Sequence, residues 1–356
     1  MTQTDWSDSD IRAHHHGLER FDAAKPGIAS RVASASGMGH ILPLGRTYGR
    51  YPRAHGDLKR ARNHTLPLPG MPLYSQHDGA AASQMLESHV LGSIGSLEVR
   101  LAATAQDIHR AQRLRYQVFY EEMSAKAGFL HRLSRRDFDR YDPICDHLLV
   151  LDHDAPLDPK TGGPAIVGTY RLLTQDVAEA NGGFYTTDEF QIERLVKARS
   201  DLNFLELGRS CVLKPYRTKR TVELLWHGIW SYVVRRKIDV LFGCASLEGT
   251  DPSKLALPLS FLHHHVLADE PWRVRAVDHR FTSMELMEKD AIDTKAALKA
   301  LPPLIKGYVR LGGMVGEGAV VDHQFGTTDV MIMLPVEKIS ARYISYYGHD
   351  AERRAN

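Results

Sequence analysis

The spacing of apolar positions predicts alternating strands and helices from residue 97 onward. Residues 97–101 (LEVRL) alternate apolar and polar side chains, which is typical of a half-buried strand. Residues 107–120 place their apolar side chains on one helical face, and so do residues 222–237. Further apolar runs between loops predict strands at 147–151, 165–173, 204–213 and 238–244. This order predicts an α/β fold with a mixed sheet flanked by helices.

The pattern continues beyond residue 244 as a C-terminal α/β extension. Four segments alternate predicted helix and strand there: 272–277, 284–301, 304–311 and 328–336. Residues 312–318 (GGMVGEG) look like a dinucleotide-binding loop, but they follow a predicted helix rather than a strand. We therefore expect turns there. His263, His264 and His265 are expected to end a helix rather than to act as bases.

The N-terminal part of the chain has no such periodicity. Residues 25–62 are rich in Gly, Pro, Ser and His and carry eight Lys or Arg against one acid, Asp57. We interpret residues 1–94 as a basic, largely disordered extension, with a short helix near 81–90. The basic charge suits anionic lipid or an acidic protein, and a solvated tail without a partner is an equal alternative. Residues 95–350 are predicted to form the folded domain.

Composition limits the class of protein. The chain has 356 residues, 43% of them apolar, and its net charge of +2 by itself says nothing about partners. We expect no nucleic-acid partner. No apolar run approaches the roughly 20 residues that cross a bilayer, and the acidic N-terminus lacks the layout of a secretory signal. The three cysteines are widely separated, which fits a reducing compartment. We expect a cytoplasmic protein, with a peripheral contact to the inner membrane left open.

A Glu and an Arg interrupt the apolar strand at 204–212 (FLELGRSCV). Buried charges are costly unless they are paired or used, so Glu206 and Arg209 are candidate site residues. Their spacing puts them on opposite faces of a regular strand, although a β-bulge would bring them together. A structural ion pair is the alternative interpretation of Glu206.

Alternating carboxylates mark a second candidate region at 137–142 (DFDRYD). Asp137, Asp139 and Asp142 could hold a cationic substrate, pair with basic side chains, ligate a metal, or form a solvated loop. The basic side chains in question are Arg115, Arg171 and Arg209. No accompanying ligand spacing supports a metal, so none is predicted.

Four motifs in order resemble the acyl-homoserine-lactone synthases, which have the GNAT fold. They lie at 115–119 (RYQVF), 137–142 (DFDRYD), 167–173 (VGTYRLL) and 205–209 (LELGR). Asp137 replaces a Glu of that family, Gly208 replaces a Ser, and the tryptophan after the Val-Phe pair is absent. The chain is thus a relative rather than a member.

A closer resemblance is to the ornithine N-acyltransferases, a group also associated with hemolysins. It covers about residues 97–348 and rests on five blocks: 116–123 (YQVFYEEM), 145–150 (CDHLLV), 205–212 (LELGRSCV), 241–246 (LFGCAS) and 305–312 (IKGYVRLG). The resemblance implies a GNAT fold and transfer of a fatty acyl group, typically 3-hydroxylated, from acyl carrier protein to the α-amine of ornithine. The product would be lyso-ornithine lipid.

The turn before the helix at 222 bears on the acyl donor. GNAT enzymes that use coenzyme A wrap its pyrophosphate with a glycine-rich turn, but Arg220 and Val222 occupy the glycine positions here. The cations Lys214, Arg217, Lys219 and Arg220 suit one phosphopantetheine phosphate and an acidic carrier surface. A solvated helix terminus is the alternative.

We expect Glu206 to act as general base through water, because the amino acid's ammonium must lose a proton before it attacks a thioester. The aspartates would fix the cationic amino acid, with Arg115, Arg171 and Arg209 as partners that keep the carboxylates ionised. The predicted substrate-binding residues are Arg115, Phe119, Ser210, Cys211 and Val212. The transfer is expected to be direct, with the carrier thioester as co-substrate and no cofactor.

Two alternatives remain open from the sequence. One is an acyl-homoserine-lactone-type synthase that uses S-adenosylmethionine. The other is a non-catalytic protein that binds acyl carrier protein or acts on membranes, as the hemolysin association suggests.

Overall fold

The computed structural model describes residues 89–339. Its strands are β1 (Val90–Ile94), β2 (Leu97–Leu101), β3 (Asp146–Asp152), β4 (Ala165–Thr174), β5 (Phe204–Val212), β6 (Val240–Glu248), β7 (Phe281–Thr282), β8 (Met314–Asp322) and β9 (Thr327–Pro335). Its α-helices are α1 (Ala105–Tyr116), α2 (Phe129–Ser134), α3 (Gln175–Ala180), α4 (Ile192–Ala198), α5 (Lys219–Arg236), α6 (Ala256–Val266), α7 (Thr294–Ala300) and α8 (Pro303–Arg310). A π-helix, Gln117–Glu122, continues α1, and short 3₁₀ helices include Tyr185–Asp188 and Lys214–Tyr216.

The nine strands found within residues 89–339 form one mixed sheet in the order β1-β2-β3-β4-β5-β6-β9-β8-β7. Strands β5 and β6 pair in parallel, and the other neighbours pair antiparallel. The crossover between β5 and β6 is α5, as a parallel pair requires. The predicted mixed sheet flanked by helices is confirmed.

Helix α5 covers one face of the sheet. It begins after Thr218, whose hydroxyl accepts a hydrogen bond from the Thr221 N–H, and it ends where Lys237 adopts φ 53°. Its buried face includes Leu224, Leu225, Ile229, Tyr232 and Val233, whose spacing is the one that the sequence pattern indicated. These side chains join Leu205 and Leu207 of β5 in one hydrophobic cluster.

A second hydrophobic cluster lies on the other face of the sheet. Phe204 of β5 and Phe242 of β6 belong to it, together with Phe184 and Phe190 from the segment before α4. Because strand side chains alternate between faces, Glu206 points to the same side as Phe204. The segment around residues 184–190 therefore packs on the face that carries Glu206.

Strands β5 and β6 part soon after they begin. They pair only from Phe204–Val240 to Glu206–Phe242, and β6 then continues along β9 as far as Glu248. A Cβ on Gly243 would lie 2.2 Å from the Leu207 carbonyl oxygen, so only glycine permits the close approach there. We call the opening beyond this contact, between residues 208–212 and 244–248, the slot.

Two expectations need correction. Residues 314–322 form β8 rather than turns, and only Gly312, at φ 93°, makes the turn after α8. The sheet also starts earlier than residue 95, because β1 pairs with β2 from Val90. The rest of the predicted N-terminal extension, and nearly all of the helix predicted at 81–90, lies outside the described residues.

Among residues 89–339, no helix is long and apolar enough to cross a membrane. The histidines 263–265 end α6 as expected, and His264 Nε2 makes a 3.0 Å hydrogen bond with the Met287 carbonyl.

Candidate active site

A β-bulge in β5 shapes the site. The register shifts between Thr169–Cys211 and Arg171–Gly208, which leaves one extra residue on β5, and Arg209 there adopts φ 50°. No ion pair joins Glu206 to Arg209 in the described part of the chain. Both instead contact Tyr185, whose N–H donates to Glu206 and whose hydroxyl lies 3.4 Å from Arg209 Nη1.

Glu206 is 4% exposed, and a turn of the 3₁₀ helix Tyr185–Asp188 holds its carboxylate. Oε1 accepts hydrogen bonds from the N–H of Thr186 (2.7 Å) and from its hydroxyl, and Oε2 accepts one from the N–H of Tyr185 (2.9 Å). A carboxylate offers about four acceptor positions, so one position on Oε2 remains. Burial raises the pKa of Glu206 despite these hydrogen bonds, which makes it a stronger base.

Arg115 anchors the loop before β3. Its side chain has no exposed surface and forms ion pairs with Asp137 Oδ2 (2.8 Å) and Asp142 Oδ1 (2.7 Å). It also donates to the Asp137 carbonyl (2.6 Å). Helix α1 thus fixes the acidic loop through one buried guanidinium.

Asp139 makes the corresponding contacts nearer the sheet. Arg171 Nη1 lies 2.7 Å from Asp139 Oδ1, and Arg209 Nη2 lies 3.3 Å from Oδ2. Burial alone would raise the pKa of Asp139, but Arg171 and Arg209 outweigh it, and the pKa is lowered. The carboxylate is therefore held ionised.

The three aspartates and three arginines thus neutralise one another. Of the alternatives left open by the sequence, pairing with basic side chains is the one present in the structure. That the aspartates also fix the cationic amino acid stays a prediction. Arg209 also bridges to Asp137, at 3.4 Å, so the network is continuous. Its function here is to position the loop and the bulge.

Aromatic rings line the space beside this network. Arg209 Cζ lies 4.9 Å from the ring centre of Tyr185 and 5.0 Å from that of Phe325. Phe325 stacks edge-on against Phe119 at 5.7 Å, which places the predicted substrate-binding Phe119 at the site. Tyr185, Thr186 and Phe325 were missed by sequence reasoning, because they lie in turns without a periodic pattern.

Of the residues predicted to receive the thioester, Val212 directs its backbone into the slot. The Leu213 N–H donates to the Val167 carbonyl on β4, and hydrogen-bonding groups alternate between strand edges, so the Val212 N–H faces the slot. In agreement with this orientation, the Val212 carbonyl accepts a hydrogen bond from Arg217 Nε at 3.0 Å. Ser210 forms a side-chain hydrogen bond with Tyr170, and Cys211 points into a buried cluster with α1.

The predicted carrier-binding cations lie in the segment between the end of β5 and the first turn of α5. Lys214, Arg217, Lys219 and Arg220 are all exposed. Arg217 is also paired with Glu122, and Lys219 Nζ lies 3.4 Å from Glu223 Oε1. Arg217 thereby links the π-helix to β5.

None of the three cysteines is set up as a nucleophile. Burial raises the pKa of Cys145 and of Cys211 to about 12, and that of Cys244 well above its ordinary value. Each therefore stays a thiol at neutral pH, and nucleophilic catalysis needs the thiolate. A direct transfer is consistent with this.

Comparison with known proteins places these features in context. Residues 114–227 match the family model described as "Acetyltransferase (GNAT) domain". The chain is 55% identical to an L-ornithine N(alpha)-acyltransferase of Brucella abortus over 74% of this chain and 93% of that one. The Rhizobium meliloti enzyme of the same name is 55% identical over 75% of this chain and 89% of its own. The Rhodobacter capsulatus enzyme is 42% identical over 73% of this chain and 97% of its own.

Solved structures show more distant likenesses. The N-acyl amino acid synthase FeeM from uncultured soil microbes is 10% identical over 68% of this chain and 91% of its own, with a TM-score of 0.37. The AHL synthase LasI is 12% identical over 71% and 96%, with a TM-score of 0.39. At these scores neither likeness bears on substrate or donor.

Proposed function

The chain belongs to the L-ornithine N(alpha)-acyltransferase family of GNAT enzymes, and on that premise we propose that it moves a fatty acyl group from acyl carrier protein to the α-amine of L-ornithine. The acyl group is typically 3-hydroxylated, and the product is lyso-ornithine lipid. The observation that carries the proposal is the position of Glu206. It forms the last pair between β5 and β6, so the base lies at the closed end of the slot that admits the donor.

The proposed reaction follows from this placement. Glu206 Oε2 takes a proton from the amine through a water molecule, and the amine attacks the thioester carbonyl in the slot. The N–H of Val212 donates to the oxyanion that develops. The C–N bond forms and the C–S bond breaks. The proton that Glu206 took from the α-ammonium passes to the departing phosphopantetheine thiolate, and the new amide nitrogen releases its second proton to solvent. No acyl-enzyme is needed.

Product masses test this function directly. The purified protein is incubated with acyl carrier thioesters and a panel of amino acids, and masses are read from the extracts. We expect a mass equal to ornithine plus the fatty acid, less one water. A homoserine-lactone product formed from S-adenosylmethionine would contradict the proposal, and so would the absence of any acylated amino acid.

Carrier protein as the donor is supported by the basic segment between β5 and α5. Helix α5 starts at Lys219, and Arg220 and Val222 in its first turn stand where coenzyme A-dependent enzymes have the glycines that wrap the pyrophosphate. Lys214 and Arg220 are exposed beside it and present positive charge to an acidic helix surface.

We expect the double reversal Lys214→Glu with Arg220→Glu to raise the apparent KM for acyl carrier protein about tenfold at low salt and to flatten its salt dependence. Arg217 is left intact because it holds the Val212 carbonyl. The matched control is Lys197→Glu with Lys254→Glu, two exposed lysines outside the slot, which should change neither quantity. Equal kcat/KM for carrier and coenzyme A thioesters, unaffected by the reversal, would contradict a carrier-specific donor site.

We also propose a peripheral membrane contact through α2. Phe129, Leu130 and Leu133 are 69%, 61% and 73% exposed, and the cations Arg132 and Arg135 lie on the same short helix or just after it. Exposed apolar side chains flanked by cations suit a surface of anionic lipid. The helix lies against the site, since Tyr120 and His131 have ring centres 5.7 Å apart.

Sedimentation with vesicles containing phosphatidylglycerol tests the contact. The double change Phe129→Ser with Leu133→Ser should lower the partition coefficient by about tenfold, because two exposed apolar side chains no longer enter the lipid. Leu157→Ser with Val234→Ser, two exposed apolar residues elsewhere, is the matched control and should have little effect. Equal partition of both variants would rule out α2 as the contact.

A further inference from the structure

Three carboxylates meet beside the site on elements that no motif indicated. Glu189 follows the 3₁₀ helix Tyr185–Asp188, Asp329 lies on β9, and Asp322 ends β8. One carboxylate oxygen from each lies within 4.8 Å of the other two. Glu189 is 3% exposed and Asp329 is 7% exposed, whereas Asp322 is only partly buried and marks the side open to solvent. We call these residues the carboxylate cluster.

The cluster holds negative charge that its surroundings do not neutralise. Among the described residues its ion pair is with Arg280, whose Nη1 lies 3.5 Å from Glu189 Oε1. Glu189 Oε2 and Asp329 Oδ1 are buried without a hydrogen-bond partner in that part of the chain. Buried carboxylate oxygens without partners are costly, which indicates that a cation belongs there.

Electrostatics agree with this geometry. Burial, and next the charge of Asp329, raise the pKa of Glu189 to about 7, although Cys244 and Arg280 act in the opposite direction. The pKa of Asp329 is also raised, chiefly by burial. A cation bound between the two would relieve both effects.

A continuous set of contacts connects the cluster to the base. Thr186, which donates to Glu206, contacts Cys244 with Oγ1 and Sγ 3.7 Å apart. The Cys244 side chain in turn hydrogen-bonds Glu189. The N–H of Glu189 donates to the Thr186 carbonyl at 3.0 Å, so one helical turn carries both contacts. The base and the cluster therefore lie on the same sheet face, one turn apart.

We infer that Glu189, Asp329 and Asp322 bind the side-chain ammonium of the acceptor, and so restrict the enzyme to diamino acids. The inference rests on the proposed function, because the acceptor's other amine is the one placed at Glu206. An ammonium donates three hydrogen bonds, which matches three converging carboxylates. An acceptor without a second amine would leave the cluster unpaired.

The test compares ornithine with norvaline, which has the same carbon chain but no side-chain amine. Glu189→Gln and Asp329→Asn should each lower kcat/KM for ornithine by about 30-fold or more, mainly through KM, because each removes one partner of a buried charge pair. The kcat/KM for norvaline should stay near the wild-type value. Asp188→Asn removes an exposed carboxylate next to Glu189 and should change neither substrate.

Each alternative outcome is distinct. An equal loss for both substrates would mean that the cluster is structural and would overturn the inference. Loss of ornithine turnover with EDTA, restored by Ca²⁺ or Mg²⁺, would make it a metal site and would also overturn it. If the wild type acylated neither amino acid, the proposed function would fail. The cluster would then be tested by calorimetry, which measures the binding of ornithine and of norvaline without turnover. A preference for binding ornithine over norvaline that Glu189→Gln abolishes would support the cluster, and no preference would overturn it.

Discussion

Replacing Glu206 with Gln should lower kcat by about two to four orders of magnitude while donor binding persists. A Gln side chain cannot accept the amine's proton. Its amide also brings N–H groups against the N–H groups of Tyr185 and Thr186, which donate to the carboxylate in the wild type. Steady-state kinetics with ornithine and acyl carrier thioester give kcat, and binding of the unreacted donor is measured separately.

The pH profile separates a base from a structural anchor. Because burial raises the pKa of Glu206, wild-type kcat should fall as the pH drops through that raised pKa, and this acid limb should be missing from Glu206→Gln. Thr186→Val removes one donor to the carboxylate, so it should move the limb to higher pH and retain most of the turnover. Turnover of Glu206→Gln within tenfold of the wild type would exclude Glu206 as the base.

Arg115→Met should lower the free energy of unfolding by about 3–5 kcal/mol. The guanidinium is fully buried between Asp137 and Asp142, so its removal takes the nearest cation from two interior carboxylates and leaves them only the longer ion pairs with Arg209 (3.4 Å) and Arg171 (3.9 Å). Urea denaturation measures the change, provided that the slope of free energy against urea stays constant.

Arg113→Met is the matched control, because Arg113 lies on the same helix, two residues before Arg115. Arg113 is partly exposed and pairs with Asp158 at 3.2 Å, so its loss should cost no more than about 1 kcal/mol. If both variants lost the same small amount, the buried network would not be what holds the acidic loop to α1.

The sequence was most informative where periodicity and charge disagreed. Glu206 and Arg209 stood out because they interrupt an apolar strand, and the bulge considered on spacing alone is present at Arg209. The sequence offered three arginines as partners for Asp137 and Asp142, but it did not assign one to each carboxylate. Their ion pairs with Arg115 join residues 22 and 27 positions apart along the chain, so only the fold determines them.

Other parts of the site left little signal in the pattern. Glu189 and Phe325 lie in turns whose side chains converge only after β5, β6, β9 and β8 are placed side by side. The glycine-rich start of β8 suggested turns because it follows a predicted helix rather than a strand. Gly316 is needed instead for close packing, since a Cβ there would lie 2.6 Å from the Val274 carbonyl oxygen.

The slot divides β5 into two halves whose amide protons should exchange with deuterated solvent at different rates. Phe204–Glu206 lies between β4 and β6, whereas the part up to Val212 pairs with β4 and faces the slot on its other edge. Exchange requires that an amide be released from its hydrogen bond, so amides directed into the slot are open to solvent even when the protein is fully folded. When the phosphopantetheine arm of the donor occupies the slot, exchange should slow at the Val212 amide and stay unchanged at the Leu205 amide. The difference between these two amides therefore reports donor binding.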